Sequence, residues 1–289
     1  MRLRPIDLLA LVPLCLLSYP MVPRAEPSAP WLERLNFYRA SASLPPVVED
    51  AALSGAVRQH TRYMLAHGLV EHSEDRRDAW TTPEGAAAAA ASNLAGSTRE
   101  GESDAWAVDL WMQAPFHALG MLDPSLRQVG FGIGHASRGR LQTAAGLDVI
   151  RGRGAPTASA SYPILWPADG AAVPLTAHVA EYPSPLTSCP GYEAPAGLPV
   201  LVQLGSGTDV PRVTGSWILE GETPLEHCVF DEGTYRNRDA GEQQLGRRIL
   251  ASRNAIVLIP RAPLKPGSRY RAVVEVNGRQ IDWRFAIAP

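Results

Sequence analysis

Apolar residues recur at helical spacing through the first half of the chain and at alternating spacing through much of the second. Leu53, Val57, His60 and Met64 fall on one stripe at i, i+4, i+7 and i+11. That period predicts a helix over 49–67, ending at Gly68, and it turns His60 inward. A shorter helix is expected over 30–39, with Leu32, Leu35 and Phe37 or Tyr38 inward, broken by Leu44-Pro45-Pro46. The six alanines from Ala86 to Ala91 lose little entropy in a helix and predict one over 83–94, packed closely against something flat. Ser103 or Asp104 caps a further helix through Met112, with Trp106 and Leu110 on one side. Pro115 would open another short one. After Pro124 the period changes to two. Val129-Gly-Phe-Gly-Ile133 and Leu141 to Ile150 read as paired strands around a turn at Ser137-Arg-Gly-Arg140.

Residues 151–161 are rich in Gly, Ala, Ser and Arg and read as a linker. Beyond them the chain becomes Pro-punctuated and β-patterned. Short strands are expected over 199–204, 216–219, 255–259 and 270–276. Asn277-Gly278 sits between alternating runs, the strongest short signal for a hairpin. In the run that follows, Ile281, Trp283, Phe285 and Ile287 share one face. A length of 289 residues suffices for two ordinary domains. The expected division is 26–151, a linker over 152–161, and a second unit over 162–289.

Charge and cysteines narrow the setting. The net charge of −2 is of mixed sign, so no basic footprint points to nucleic acid. Residues 1–25 read as an export signal: Arg2 and Arg4 precede an apolar core from Ile6 to Leu17 that is too short to span a bilayer comfortably. Cleavage after Ala25 is the expected fate, with retention as an anchor or lipidation at Cys15 as alternatives. Cys189 and Cys228 are the two cysteines outside that segment. In an oxidising compartment a disulfide between them is the simplest arithmetic; the alternative is two buried free thiols. A secreted, periplasmic or cell-envelope protein with no transmembrane span in its mature form is expected.

Two histidines carry the chain's best claim to chemistry. His72 lies just past the end of the 49–67 helix, in Val70-Glu71-His72-Ser73-Glu74. His117 follows the helix-opening proline, in Trp111-Met-Gln-Ala-Pro115-Phe-His117. Two imidazoles presented this way can share a cleft. Together with Asn36 to Arg39, Leu44-Pro45-Pro46, Ala91-Ser92-Asn93-Leu94 and Val129-Gly-Phe-Gly132, in that order, these phrases resemble the CAP superfamily (cysteine-rich secretory, antigen 5 and pathogenesis-related proteins), its bacterial members in particular. The resemblance covers roughly residues 30–150 and implies a three-layer α/β/α sandwich. Cavity members of that superfamily hold two histidines and two acids. Here His72 and His117 carry over, Ser92 stands where the family's site has Glu, and Gln113 lies near where a second acid would fall. Farther on, Pro263-Leu-Lys-Pro266-Gly267-Ser-Arg-Tyr270 resembles the turn and strand of fibronectin-III and bacterial Ig-like domains, implying a β-sandwich. The expected fold class is therefore α+β, a CAP sandwich followed by an all-β Ig-like sandwich.

The resemblance supports a binding or recognition module with a degenerate cleft lined by His60, His72, Ser92 and His117. Its partner would be a cell-surface component or an apolar ligand. The rival reading is a metal-assisted hydrolase, peptidase-like, using His72, His117 and Glu74. Two neutral imidazoles suit zinc, but a catalytic zinc has three protein ligands, with Glu74 as the candidate third and His60 as a fourth. Ser92 as a nucleophile has no nucleophile elbow around it and reads better as a small residue chosen for packing.

Overall fold

Glycines at alternate positions of one strand decide how the first half packs. The computed structural model describes residues 29–155, 161–207 and 210–289, so the expected export signal and half of the expected linker lie outside the described residues. Asp50 caps α2 (Ala51–His67) by accepting from the amides of Ala52 and Leu53, and Gly68 closes that helix in the left-handed region at φ 64°. Helix α2 lies directly on β3 (Gln128–His135). A Cβ on Gly130 would collide with the Leu53 backbone, and one on Gly132 would stand 2.7 Å from the Arg58 amide nitrogen. Phe131, between them, points the other way and stacks on Trp31 of α1 (Pro30–Ala40) at 4.8 Å. The strand thus presents a flat face to one helix and a bulky face to another.

The remaining elements complete these layers. They are β1 (Val48–Glu49), α3 (Pro83–Ala89), β2 (Ser92–Ser97), α4 (Asp104–Met112), α5 (Pro115–Met121) and β4 (Thr143–Asp148). The sheet order is β1-β3-β4-β2, with only β1 and β3 parallel. In α1 the buried residues are Trp31, Leu35, Tyr38 and Arg39, while Phe37 is 42% exposed. The helix expected over 83–94 stops at Ala89, and Ser92 begins a strand instead. Alanine propensity yields there to the open edge of β4, which pairs with every residue from Ser92 to Ser97.

The second half holds two sheets whose apolar residues share one core with the first half. One sheet runs β11-β10-β14-β15-β6, from β6 (Ala172–Val173), β10 (Val213–Glu220), β11 (Thr223–Pro224), β14 (Arg269–Val276) and β15 (Arg279–Ile287). The other runs β12-β13-β9-β5, from β5 (Ile164–Trp166), β9 (Val200–Gln203), β12 (His227–Phe230) and β13 (Ala255–Pro260). A small ribbon pairs β7 (Ala177–His178) with β8 (Ala196–Gly197). Asn277-Gly278 turns β14 into β15, and Trp283, Phe285 and Ile287 are buried on one face. Cys189 and Cys228 form a disulfide.

The all-β expectation for 162–289 is corrected by α6 (Ala240–Ala251). Its Asp239 cap accepts from the Glu242 amide, and Gly246 leaves room for the Tyr235 ring against the helix. Asp-x-x-Glu followed by Leu245 and Ile249 was a legible helix start.

The two halves pack against each other. Trp166 meets the ring of Tyr38 edge-on at 5.5 Å, and Phe116 meets Tyr235 at 5.2 Å. Gln203 donates to the Leu122 carbonyl. Buried Asp123, just past α5, pairs with Arg253, just past α6, at 2.7 Å.

Candidate functional site

Helix α5 begins without a side-chain cap of its own, because its N-cap residue is Ala114. Its exposed amides therefore need an acceptor from elsewhere. Glu181, from the loop after β7, supplies it. One carboxylate oxygen accepts from the His117 amide at 2.8 Å and from His117 Nδ1 at 2.7 Å. The Glu181 side chain has no solvent exposure. With Nδ1 held by a carboxylate, Nε2 is the nitrogen left for other partners. The arrangement is that of a base and its orienting acid. The acid missing from the first half thus comes from the second, 64 residues later.

His72 is oriented by the neighbouring helix. Its Nδ1 donates to the carbonyl of Ala89 at 3.0 Å, again leaving Nε2 as the free nitrogen. The residue stands exposed at the rim, yet loss of solvent around the ring lowers its pKa, and the nearby His117 and His60 lower it further. The Ala89 bond pushes the other way without prevailing. A depressed pKa means that the folded chain binds fewer protons than the unfolded one. His72 therefore disfavours folding as the pH falls below the ordinary imidazole value of 6.5. In an NMR titration the His72 ring should titrate with a midpoint below that value. A midpoint at or above it would contradict the described environment.

His72, Ser92 and His117 line one cleft of about 460 Å³. Ser92 is buried and its hydroxyl has no partner among the described residues. Asn93 donates to the His117 carbonyl and braces that turn. The far wall belongs to the second half: Tyr182 and Pro183 from the Glu181 loop, then Leu245, Arg248 and Ile249 of α6. None of that wall was foreseen from sequence.

His60 and Glu74 do not join the cleft. His60 Nδ1 meets Glu74 Oε1 at 2.8 Å, with both side chains inaccessible, and His60 Nε2 donates to the Glu71 carbonyl at 2.9 Å. Glu74 also accepts from the Thr82 amide. The pair ties the loop after α2 to the start of α3. His60 faces inward as its register predicts, and it and Glu74 lie against each other rather than among the residues that line the cleft. Asp109 of α4 binds Arg34 through both carboxylate oxygens and accepts from Tyr38.

A zinc site does not fit these residues. Among the described residues no group of three or more His, Cys, Asp or Glu is arranged to hold a metal ion. The nearest carboxylate to the paired imidazoles, Glu181, sits behind His117 on its Nδ1 side.

An α/β/α sandwich with two oriented imidazoles in a cleft is the class that fold and site define. Residues 32–145 match the family model described as CAP, the cysteine-rich secretory protein family, which supports a CAP superfamily domain over that segment. The match spans less than half of the chain. A search of the curated proteins found no match. No helix among the described residues is long and apolar enough to cross a membrane.

Proposed function

We propose that this chain is an exported binding module whose ligand lies in the cleft between its CAP domain and an Ig-like C-terminal unit. The proposed division is 26–151, a linker over 152–161, and 162–289, with an export signal over 1–25. The observation that carries the reading is the composition of the cleft. Elements from both halves line one cavity of small-molecule size, walled largely by apolar side chains with a few convergent polar groups. The C-terminal unit then acts as the cleft's lid and as the donor of Glu181. Secretion suits the CAP match, the disulfide and the apolar core of the N-terminal segment.

The fluorescent probe N-phenyl-1-naphthylamine, which is neutral and apolar, tests the reading. It should bind the exported protein, and Ile249→Trp should weaken binding by about tenfold or more by filling the cleft, as a lost apolar contact of 1–2 kcal/mol implies. Thermal melting of the variant checks that the fold survives. Absence of binding, or binding untouched by the variant, would overturn the reading.

A second reading, hydrolysis, is favoured by the Glu181–His117 pair alone. It would be metal-free, with His117 Nε2 taking a proton from water. Turnover of a chromogenic ester, lost in Glu181→Gln with probe binding intact, would move the conclusion to it.

A further inference from the structure

The charges around the cleft are one-sided. Three guanidinium groups line it, those of Arg153, Arg248 and Arg253, and no Asp or Glu does. Asp123 stands behind the lining and pairs with two of them, Arg153 at 3.2 Å and Arg253 at 2.7 Å. Glu181 stands behind the other end and is held by His117. One carboxylate thus pairs with two of the three cations at the arginine end. Arg248 has no side-chain partner among the described residues. It projects from the last turn of α6 into the cleft wall. Arg253 is 7% exposed, and its Nε has no hydrogen-bond partner. A buried guanidinium donor without an acceptor is costly, because desolvation is not repaid by a bond. The surface beside these cations is apolar: Phe116, Val149, Leu245 and Ile249 line the same cavity, and Ile150 is 46% exposed at its side.

We propose, resting on the cleft as the ligand site, that it selects a molecule with one anionic group on an apolar body. Arg248 and Arg253 take the anion, and Phe116, Leu245 and Ile249 take the body. Guanidinium suits carboxylate and phosphate alike, since its donors form a planar fork. Arg248 is the selectivity residue. It touches the ligand without supporting the fold, whereas Arg253 is tied to Asp123 and its replacement would disturb both.

The test compares two naphthalene probes of like shape. 8-Anilino-1-naphthalenesulfonate is anionic; N-phenyl-1-naphthylamine is its neutral counterpart. Both are titrated by fluorescence into wild type, Arg248→Gln and Ile249→Trp, using exported protein with the disulfide intact. Arg248→Gln should weaken the anionic probe by about tenfold, the loss expected for one charge-assisted contact, and weaken the neutral probe far less. Ile249→Trp should weaken both. Decanoate and decyl phosphate should displace the anionic probe, and whichever does so at lower concentration distinguishes a carboxylate from a phosphomonoester source. Equal affinity of Arg248→Gln and wild type for the anion, or displacement by decanol as effective as by decanoate, would overturn the inference while leaving the cleft as an apolar site. Failure of both probes would overturn the cleft reading and this inference together.

Discussion

Asp123→Ala should destabilise the folded chain by about 3–5 kcal/mol, the usual result of leaving a buried ion without its partner. Asp123 is 8% exposed and joins both halves. Its carboxylate pairs with Arg253 and Arg153, and it also accepts from the amide and hydroxyl of Ser125. Fully buried Arg39 lies close by, donating to the carbonyls of Met121 and Asp123. Burial lowers the Arg39 pKa to about 10, with Asp123 opposing that shift. Removing Asp123 would strand the Arg253 cation and weaken the field that keeps Arg39 charged. Burial alone would raise the Asp123 pKa; Arg253, Ser125 and Arg153 outweigh it and the net shift is downward. The sign follows. A carboxylate with a depressed folded-state pKa stabilises fully above its ordinary value of 3.8 and loses that contribution as the pH falls through the depressed value. Urea unfolding followed by tryptophan fluorescence measures both effects. The double variant Asp123→Leu/Arg253→Met should recover most of the loss, because an apolar pair replaces an ion pair without leaving a lone charge. A loss below about 1 kcal/mol in the single variant would mean that Arg253 finds water or another acceptor there.

The Cys189–Cys228 bond comes next in magnitude. It closes a segment with a sequence separation of 39. Constraining a loop of that size in the unfolded chain stabilises by about 4 kcal/mol on chain entropy. The Cys189→Ser/Cys228→Ser double variant should lose about that much in the same urea assay, and reductant should move wild type toward it. A second effect is local. Cys189 anchors the far end of the loop that carries Glu181 and Tyr182, and Tyr235 holds its middle by donating to the Ser184 carbonyl. The double variant should therefore show faster amide exchange at His117, whose amide is held by Glu181, than at residues in the middle of α2. Equal protection at both places would separate the disulfide from the cleft.

Closure of the cleft by α6 and the Glu181 loop changes what the missing family acid means. Ser92 occupies the position where the superfamily pattern carries Glu, and its hydroxyl is buried without a partner. The histidine on the other side has recruited a carboxylate from outside the CAP segment. The serine lies inside residues 32–145 and the carboxylate outside them, so a reading confined to that segment sees only the serine.

What the chain decided by itself is the set of local elements and the residues they expose. The α2 stripe ending at Gly68, the proline start of α5, the glycine-rich β3 and the Asn277-Gly278 hairpin all follow from period, caps and turn chemistry, which act over a few residues. The pairing of Cys189 with Cys228 was legible for a different reason, since two cysteines outside the N-terminal segment leave a single intramolecular partner. The start of α6 was also written locally, in Asp239, Glu242, Leu245 and Ile249, although a β-rich context hid it. Tertiary structure alone decided three things. It drew Ser92 out of an alanine helix into a strand, because the edge of β4 needed a partner. It turned Glu74 away from His72 to His60, two residues whose proximity depends on how the loop after α2 folds back. And it brought Glu181, Arg248 and Arg253 to a cleft that begins with His72. No spacing rule links residues 64 or more positions apart; contacts between the halves, the packing of Phe116 on Tyr235 and the Asp123–Arg253 pair among them, bring them close enough for one site to form.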